Sequence, residues 1–118
     1  MLNILYRISI QMRNDSVDPA EVYSGFRRFV KPESGEDVEN ESSTGITVSF
    51  RSNLCVSEMI KAISEAMQEC GVVLYTDVLY RYQDEMFHDR FTVFSDGTWR
   101  DYTSRTYYNE IGERQKIL

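Results

Sequence analysis

Residues 2–12 constrain the fold more than any other stretch of the chain. Leu2, Ile4, Tyr6, Ile8, Ile10 and Met12 alternate with Asn3, Arg7, Ser9, Gln11 and Arg13, and only Leu5 interrupts the pattern. Successive strand side chains point to opposite faces, so period two with a single apolar face means a strand half buried against a core. A doubly wound sheet, covered on both sides, would need apolar residues at both parities. A sheet packed on one side only is the expectation.

The chain supplies helices for that side. Asp18-Pro19-Ala20-Glu21 places an N-cap carboxylate, a first-turn proline and a capping-box glutamate in sequence. Val22, Phe26 and Phe29 or Val30 then recur at helical spacing, predicting a helix over 19–29 with Gly25 as a weak point and Pro32 beyond its end. A second helix carries Val56, Met59, Ile60, Ile63, Met67 and Cys70 on one face, with Gly71 as its stop and Ser52 or Asn53 as its N-cap.

Between the helices, Ile46, Val48 and Phe50 alternate with Thr47, Ser49 and Arg51, giving a second strand. Residues 72–82 form a third. Val72, Leu74, Val78, Tyr80 and Tyr82 share one parity and Val73, Tyr75, Leu79 and Arg81 the other, which places this strand centrally. Residues 87–94 and 98–103 flank Ser95-Asp96-Gly97, a hairpin signal. After Arg105, Tyr107, Tyr108 and Ile111 either extend a strand or dock a short helix. The expected order is β-α-β-α-β-β-β: a single α+β domain over 1–118, with a mostly antiparallel sheet of about five strands and two helices on one face.

With 42% hydrophobic residues in 118, the chain can build a core without a metal or disulfide. Cys55 and Cys70 lie 15 residues apart in the second helical segment, on the order of 20 Å along its axis, too far to bridge. They read as reduced thiols. The N-terminal residues lack an uninterrupted apolar leader segment and no apolar run approaches the ~20 residues of a membrane span. A cytoplasmic protein without a membrane partner is expected, and the Asn-x-Ser triplets at Asn14 and Asn40 then count as chance matches.

Charge is concentrated. Residues 31–44 read as an acidic connector loop holding Glu33, Glu36, Asp37, Glu39 and Glu41, and without these five carboxylates the formal charge of −6 becomes −1. The loop is either a solvated connector or an element that engages a basic surface.

Catalytic signatures are missing. His88 sits in Asp84-Glu85-Met86-Phe87-His88-Asp89, a spacing that matches no metal-ligand box and reads as a polar turn. No cofactor or metal is expected. Neither cysteine stands in the exposed, electropositive setting a reactive thiol needs. The six glycines are isolated, so no phosphate-cradling loop exists. Asp77 interrupts the apolar third strand and is expected to pair across strands with Arg7, Arg51 or Arg81.

What remains is a surface. Arg51, Arg81, Tyr75, Trp99, Arg100, Tyr102, Tyr107 and Tyr108 are its candidate contact residues, joined by Arg7, Arg13, Thr47, Ser49 and Arg105. Tyr, Trp and Arg are the residues that protein interfaces favour. The expected function is therefore a small acidic protein-binding module, an inhibitor or immunity-type accessory protein acting by surface complementarity, with self-association through a sheet edge or aromatic face as a further expectation. A nucleic-acid-binding module using the Arg/Tyr face is the first alternative. A small enzyme or small-ligand protein, with a deep pocket around Asp77, Asp84, Glu85 and His88, is the second.

Overall fold

The computed structural model describes residues 3–81, 89–101, 106–108 and 114–116. Its elements are β1 (Ile4–Met12), α1 (Pro19–Val30), β2 (Ser34–Glu41), β3 (Gly45–Ser52), α2 (Val56–Cys70), β4 (Val73–Arg81), β5 (Asp89–Phe94), β6 (Trp99–Asp101), β7 (Thr106–Tyr108) and β8 (Arg114–Lys116). Strands β1 to β6 form one sheet in the order β2-β3-β1-β4-β5-β6, with every neighbouring pair antiparallel. β7 and β8 pair with each other in a separate sheet. The α+β class holds, and the main sheet has six strands where about five were expected.

From β1 to β4 the chain forms two interleaved split β-α-β units. β3 lies between the parallel β1 and β2, and β1 lies between the parallel β3 and β4. That is the ferredoxin-like path, extended past β4 by the β5–β6 hairpin. Both helices lie on one side of the sheet. Tyr6, Ile8, Phe26, Val48, Phe50, Met59, Ile63, Val78, Phe91 and Val93 have no exposed surface and form the centre of the core.

Local chemistry explains the helix ends. The Asp18 carboxylate accepts from the Ala20 N–H at 3.0 Å, Pro19 occupies the first turn, and Lys31 closes α1 in the left-handed region. α1 runs through Gly25, where a Cβ would meet only the Cys70 sulfur of α2 at 3.7 Å. The N-cap of α2 is Cys55, whose N–H donates to the Glu58 carboxylate at 3.3 Å. Ser52, expected as a cap, instead donates to the Val30 carbonyl at 3.1 Å and accepts from Leu54 N–H at 3.3 Å. It ties the end of α1 to the start of the loop into α2.

Two expectations are corrected. Within 31–44, the segment read as an acidic loop, Ser34–Glu41 is the edge strand β2. Its composition hides it, because its hold on the sheet is not an apolar face. Arg27 grips the Glu36 carboxylate with two bonds, at 2.8 and 3.0 Å, and the Tyr23 hydroxyl donates to the same group. On the other side Arg7 pairs with Glu39 at 2.8 Å. The register of β2 on β3 slips twice, as befits an edge strand held at separate points.

In β4 the strict alternation of faces fails at its start. The register with β1 shifts between Gln11 and Met12, so Val73, Thr76 and Val78 are all buried while Leu74 is exposed. From Thr76 onward the alternation is regular, and β4 does lie inside the sheet between β1 and β5.

Candidate functional site: the uncovered sheet face

The pairing registers define the face opposite the helices row by row. In the first row, Arg51 and Arg81 flank Leu5. In the next, Ser49, Arg7, Leu79 and Arg90 lie side by side, with Asp37 beyond Ser49 on β2. The third holds Thr47, Ser9, Asp77, Thr92 and Arg100, and the fourth holds Gly45, Gln11, Tyr75 and Phe94. Among the described residues no helix covers these side chains. Those of β1, β3 and β4 are half-buried by their neighbours, and Arg90 and Arg100 are exposed.

Five arginines stand on five successive strands. Arg51 of β3, Arg7 of β1, Arg81 of β4, Arg90 of β5 and Arg100 of β6 are each displaced by two residues from the position directly opposite the next. Such diagonal neighbours are about 7–8 Å apart. Arg7 is neutralised by Glu39, and Arg81 and Arg90 have other interactions within the molecule. Arg51 and Arg100 make no ion pair among the described residues.

Asp77 lies on this face but pairs with none of Arg7, Arg51 and Arg81. It accepts a hydrogen bond from the Thr92 hydroxyl at 2.9 Å on the neighbouring strand. The hollow beside it is about 240 Å³, lined by Ser9, Gln11, Thr47, Tyr75 and Asp77. It is a shallow polar depression rather than the deep pocket a small-ligand site needs. Asp84, Glu85 and His88, expected with Asp77 around a deep pocket, lie outside the described residues. Among the described residues, no three His, Cys, Asp or Glu side chains converge on a metal-sized site.

The surface read from sequence divides in space. Arg51, Arg81, Tyr75 and Arg100 share the uncovered face. Trp99 has the opposite parity: it faces the helix side, half exposed, opposite Val93. There it lines a groove of about 620 Å³ between α2 and β6, with Val56, Ile60, Tyr80, Lys61 and Asp101. Tyr102 and Arg105 lie outside the described residues. Tyr107 and Tyr108 belong to β7 and pair with β8, not with the main sheet. Arg90 is a residue of this face that sequence reading missed. Its signal was the alternation of Phe91 and Val93 with Arg90 and Thr92.

The acidic residues divide as well. Glu36 and Glu39 are consumed in holding β2. Burial opposes ionisation of Glu36, but the hydrogen bonds from Arg27 and Tyr23 outweigh it and hold this carboxyl below the ordinary range. Burial and the bond to Glu36 push the Tyr23 hydroxyl well above its ordinary value. The Glu33 N–H donates to the Arg51 carbonyl at 2.7 Å. Glu33, Asp37 and Glu41 make no ion pair among the described residues.

Burial pushes the Cys70 thiol up, against a smaller opposing effect of Arg28, and both cysteines are unbridged. No helix among the described residues is long and apolar enough to cross a membrane. No family model, curated protein or solved structure matches this chain.

Proposed function

We propose that the chain is a non-catalytic binding module that docks a partner protein on its uncovered sheet face. One observation carries this reading: a six-stranded sheet that, among the described residues, has helices on one side only and whose other side mixes arginines with half-buried Leu5, Leu79, Tyr75 and Phe94. Arg and aromatic side chains set in apolar surroundings are what protein interfaces select. The stems of the arginines supply apolar contact while their planar heads supply directional bonds.

A photo-cross-linking residue in place of Leu79 tests the proposal in native extract. A discrete protein adduct from that site is expected, and none from the same residue in place of Ser24, on the exposed side of α1. Equal labelling from both positions would sink it.

A second reading has its own support. Tyr75 and Phe94 are directly opposite on neighbouring strands, and paired aromatic rings beside arginines can stack the bases of a single-stranded nucleic acid. A salt titration with labelled oligothymidylate separates the two, since phosphate contacts weaken steeply with added salt. Absence of binding at low salt removes the second reading.

A further inference from the structure

We infer that β2 is a releasable strap: its carboxylates latch it onto β3, and when the latches fail it leaves the sheet as a loop while the rest of the fold stays closed. The device belongs to the edge of the sheet, whatever meets the uncovered face.

Composition sets up the two states. Residues 33–41 hold five carboxylates, no Lys or Arg, and a single apolar side chain, that of Val38. A segment of this kind cannot offset its ordering entropy by burial. Among the described side chains of β2 none is buried, and Val38 is exposed. What orders β2 is therefore its backbone pairing to β3, interrupted by two slips in register, together with its ion pairs.

Those ion pairs come from two other elements, on opposite faces of the sheet. On the helix side Arg27 of α1 grips Glu36 with bonds of 2.8 and 3.0 Å, and Tyr23 donates to the same carboxylate. On the uncovered side Arg7 of β1 reaches past β3 to Glu39 at 2.8 Å. β3 brings no charge to either latch: its residues opposite Asp37, Val38, Asn40 and Glu41 are Ser49, Val48, Thr47 and Ile46, and its charged residue, Arg51, stands opposite Ser34. Glu33, Asp37 and Glu41 add only negative charge along the segment. Once the latches fail, β2 retains like charges that repel one another. All four latch side chains remain open to solvent, so salt screens them, and protonation of the two carboxylates removes them.

The rest of the fold holds without β2. Val22, Phe26 and Val30 of α1 are buried in the core, and Ser52 of β3 donates to the Val30 carbonyl at 3.1 Å. β3 pairs with β1 from Ile4–Ser52 to Gln11–Gly45 without a slip. β2 is joined at both ends, to α1 through 31–33 and to β3 through 42–44, so it opens as a tethered loop. Opening uncovers the outer edge of β3, a strand of 8 residues, and an unpaired edge is a template for another strand. The latches thus decide whether the sheet ends in a guarded edge or a receptive one.

Hydrogen exchange of the full chain tests the strap. The amides by which β2 bonds to β3 are expected to exchange at least about tenfold faster than the bonded amides of β1. Their opening exposes little surface, so low urea should not accelerate it, whereas exchange in β1 should accelerate with urea. Arg7→Glu combined with Arg27→Glu is expected to speed the β2 amides by at least about tenfold more. Dispersed amide resonances from Ile8, Val48 and Val78 check that the core of this variant is folded. The milder Glu36→Gln with Glu39→Gln, expected to speed the β2 amides about fivefold, replaces it if needed. Exchange of β2 and β1 at one rate with one urea dependence would overturn the inference, as would unchanged β2 protection in the folded variants.

Discussion

Ile8 and Arg7 are neighbours on β1, yet they inhabit different solvents. Ile8 is fully enclosed beneath the helices, beside Val48 and Val78 on the flanking strands. Arg7 points the other way, half-buried, with Glu39 as its counter-ion. The same contrast repeats along β3 and β5, where Phe50 and Phe91 are buried and Arg51 and Arg90 are not. On the helix side each side chain is fixed by close packing. On the other side polar pairing takes the place of packing, as between Arg7 and Glu39. The covered face accounts for the fold, and among the described residues no helix covers the other face.

The largest effects belong to the covered face. Ile8→Ala should destabilise the protein by ~2–5 kcal/mol, through lost burial and the cavity left behind. Arg7→Ala should cost less than ~1 kcal/mol, because exposed ion pairs contribute little. Urea denaturation of the pair measures the contrast, and comparable losses would break it. Tyr6→Phe ranks next. The Tyr6 hydroxyl donates to the Leu54 carbonyl at 2.7 Å, and removing it should cost about 1–3 kcal/mol by leaving a part-buried acceptor without its donor.

Glu36→Gln sharpens the comparison at the edge of the sheet, where polar bonds do what packing does elsewhere. Its cost should be about 1 kcal/mol after allowing for solvent screening. The carboxyl is held below its ordinary value when folded. Its contribution is therefore complete above the unfolded pKa of about 4.3 and lost as pH falls through the lower folded value. The stability gap between Glu36→Gln and the unaltered chain should be present at neutral pH and close in acid. A gap that persisted at pH well below the carboxylate range would show that Glu36 acts through packing instead of charge.

How far the sequence disclosed this arrangement follows the same division. β1, β3 and the two helices were legible because each buries an apolar face of its own, at period two or 3.6. β2 was not, because Ser34–Glu41 has one apolar residue, Val38, and that one is exposed. The bonds that place it, from Tyr23, Arg27 and Arg7, come from residues remote in sequence. The start of β4 misled for another reason: a slip in register opposite Gln11 and Met12 is set by pairing, not by local pattern. In the candidate site, Arg51, Arg81 and Arg100 were found but grouped with Trp99. Trp99 and Arg100 are adjacent, and their opposite faces follow only once Val93 and Thr92 are known to be their partners.

The smallest expected effect on stability bears most directly on the uncovered face. Arg51→Glu combined with Arg100→Glu should shift stability by no more than ~0.5 kcal/mol, since neither residue makes an ion pair among the described residues. The sign has two contributions. Removing positive charge relieves repulsion from the other arginines of the face, which favours the variant. A new carboxylate at position 51 stands beside the acidic strand β2, which opposes it. The two nearly cancel, so the urea midpoint should stay close to that of the unaltered chain. A loss above about 2 kcal/mol would mean that these arginines are structural, held by contacts within the molecule. The face would then be explained by folding alone, and the contrast between Ile8 and Arg7 would lose its functional meaning.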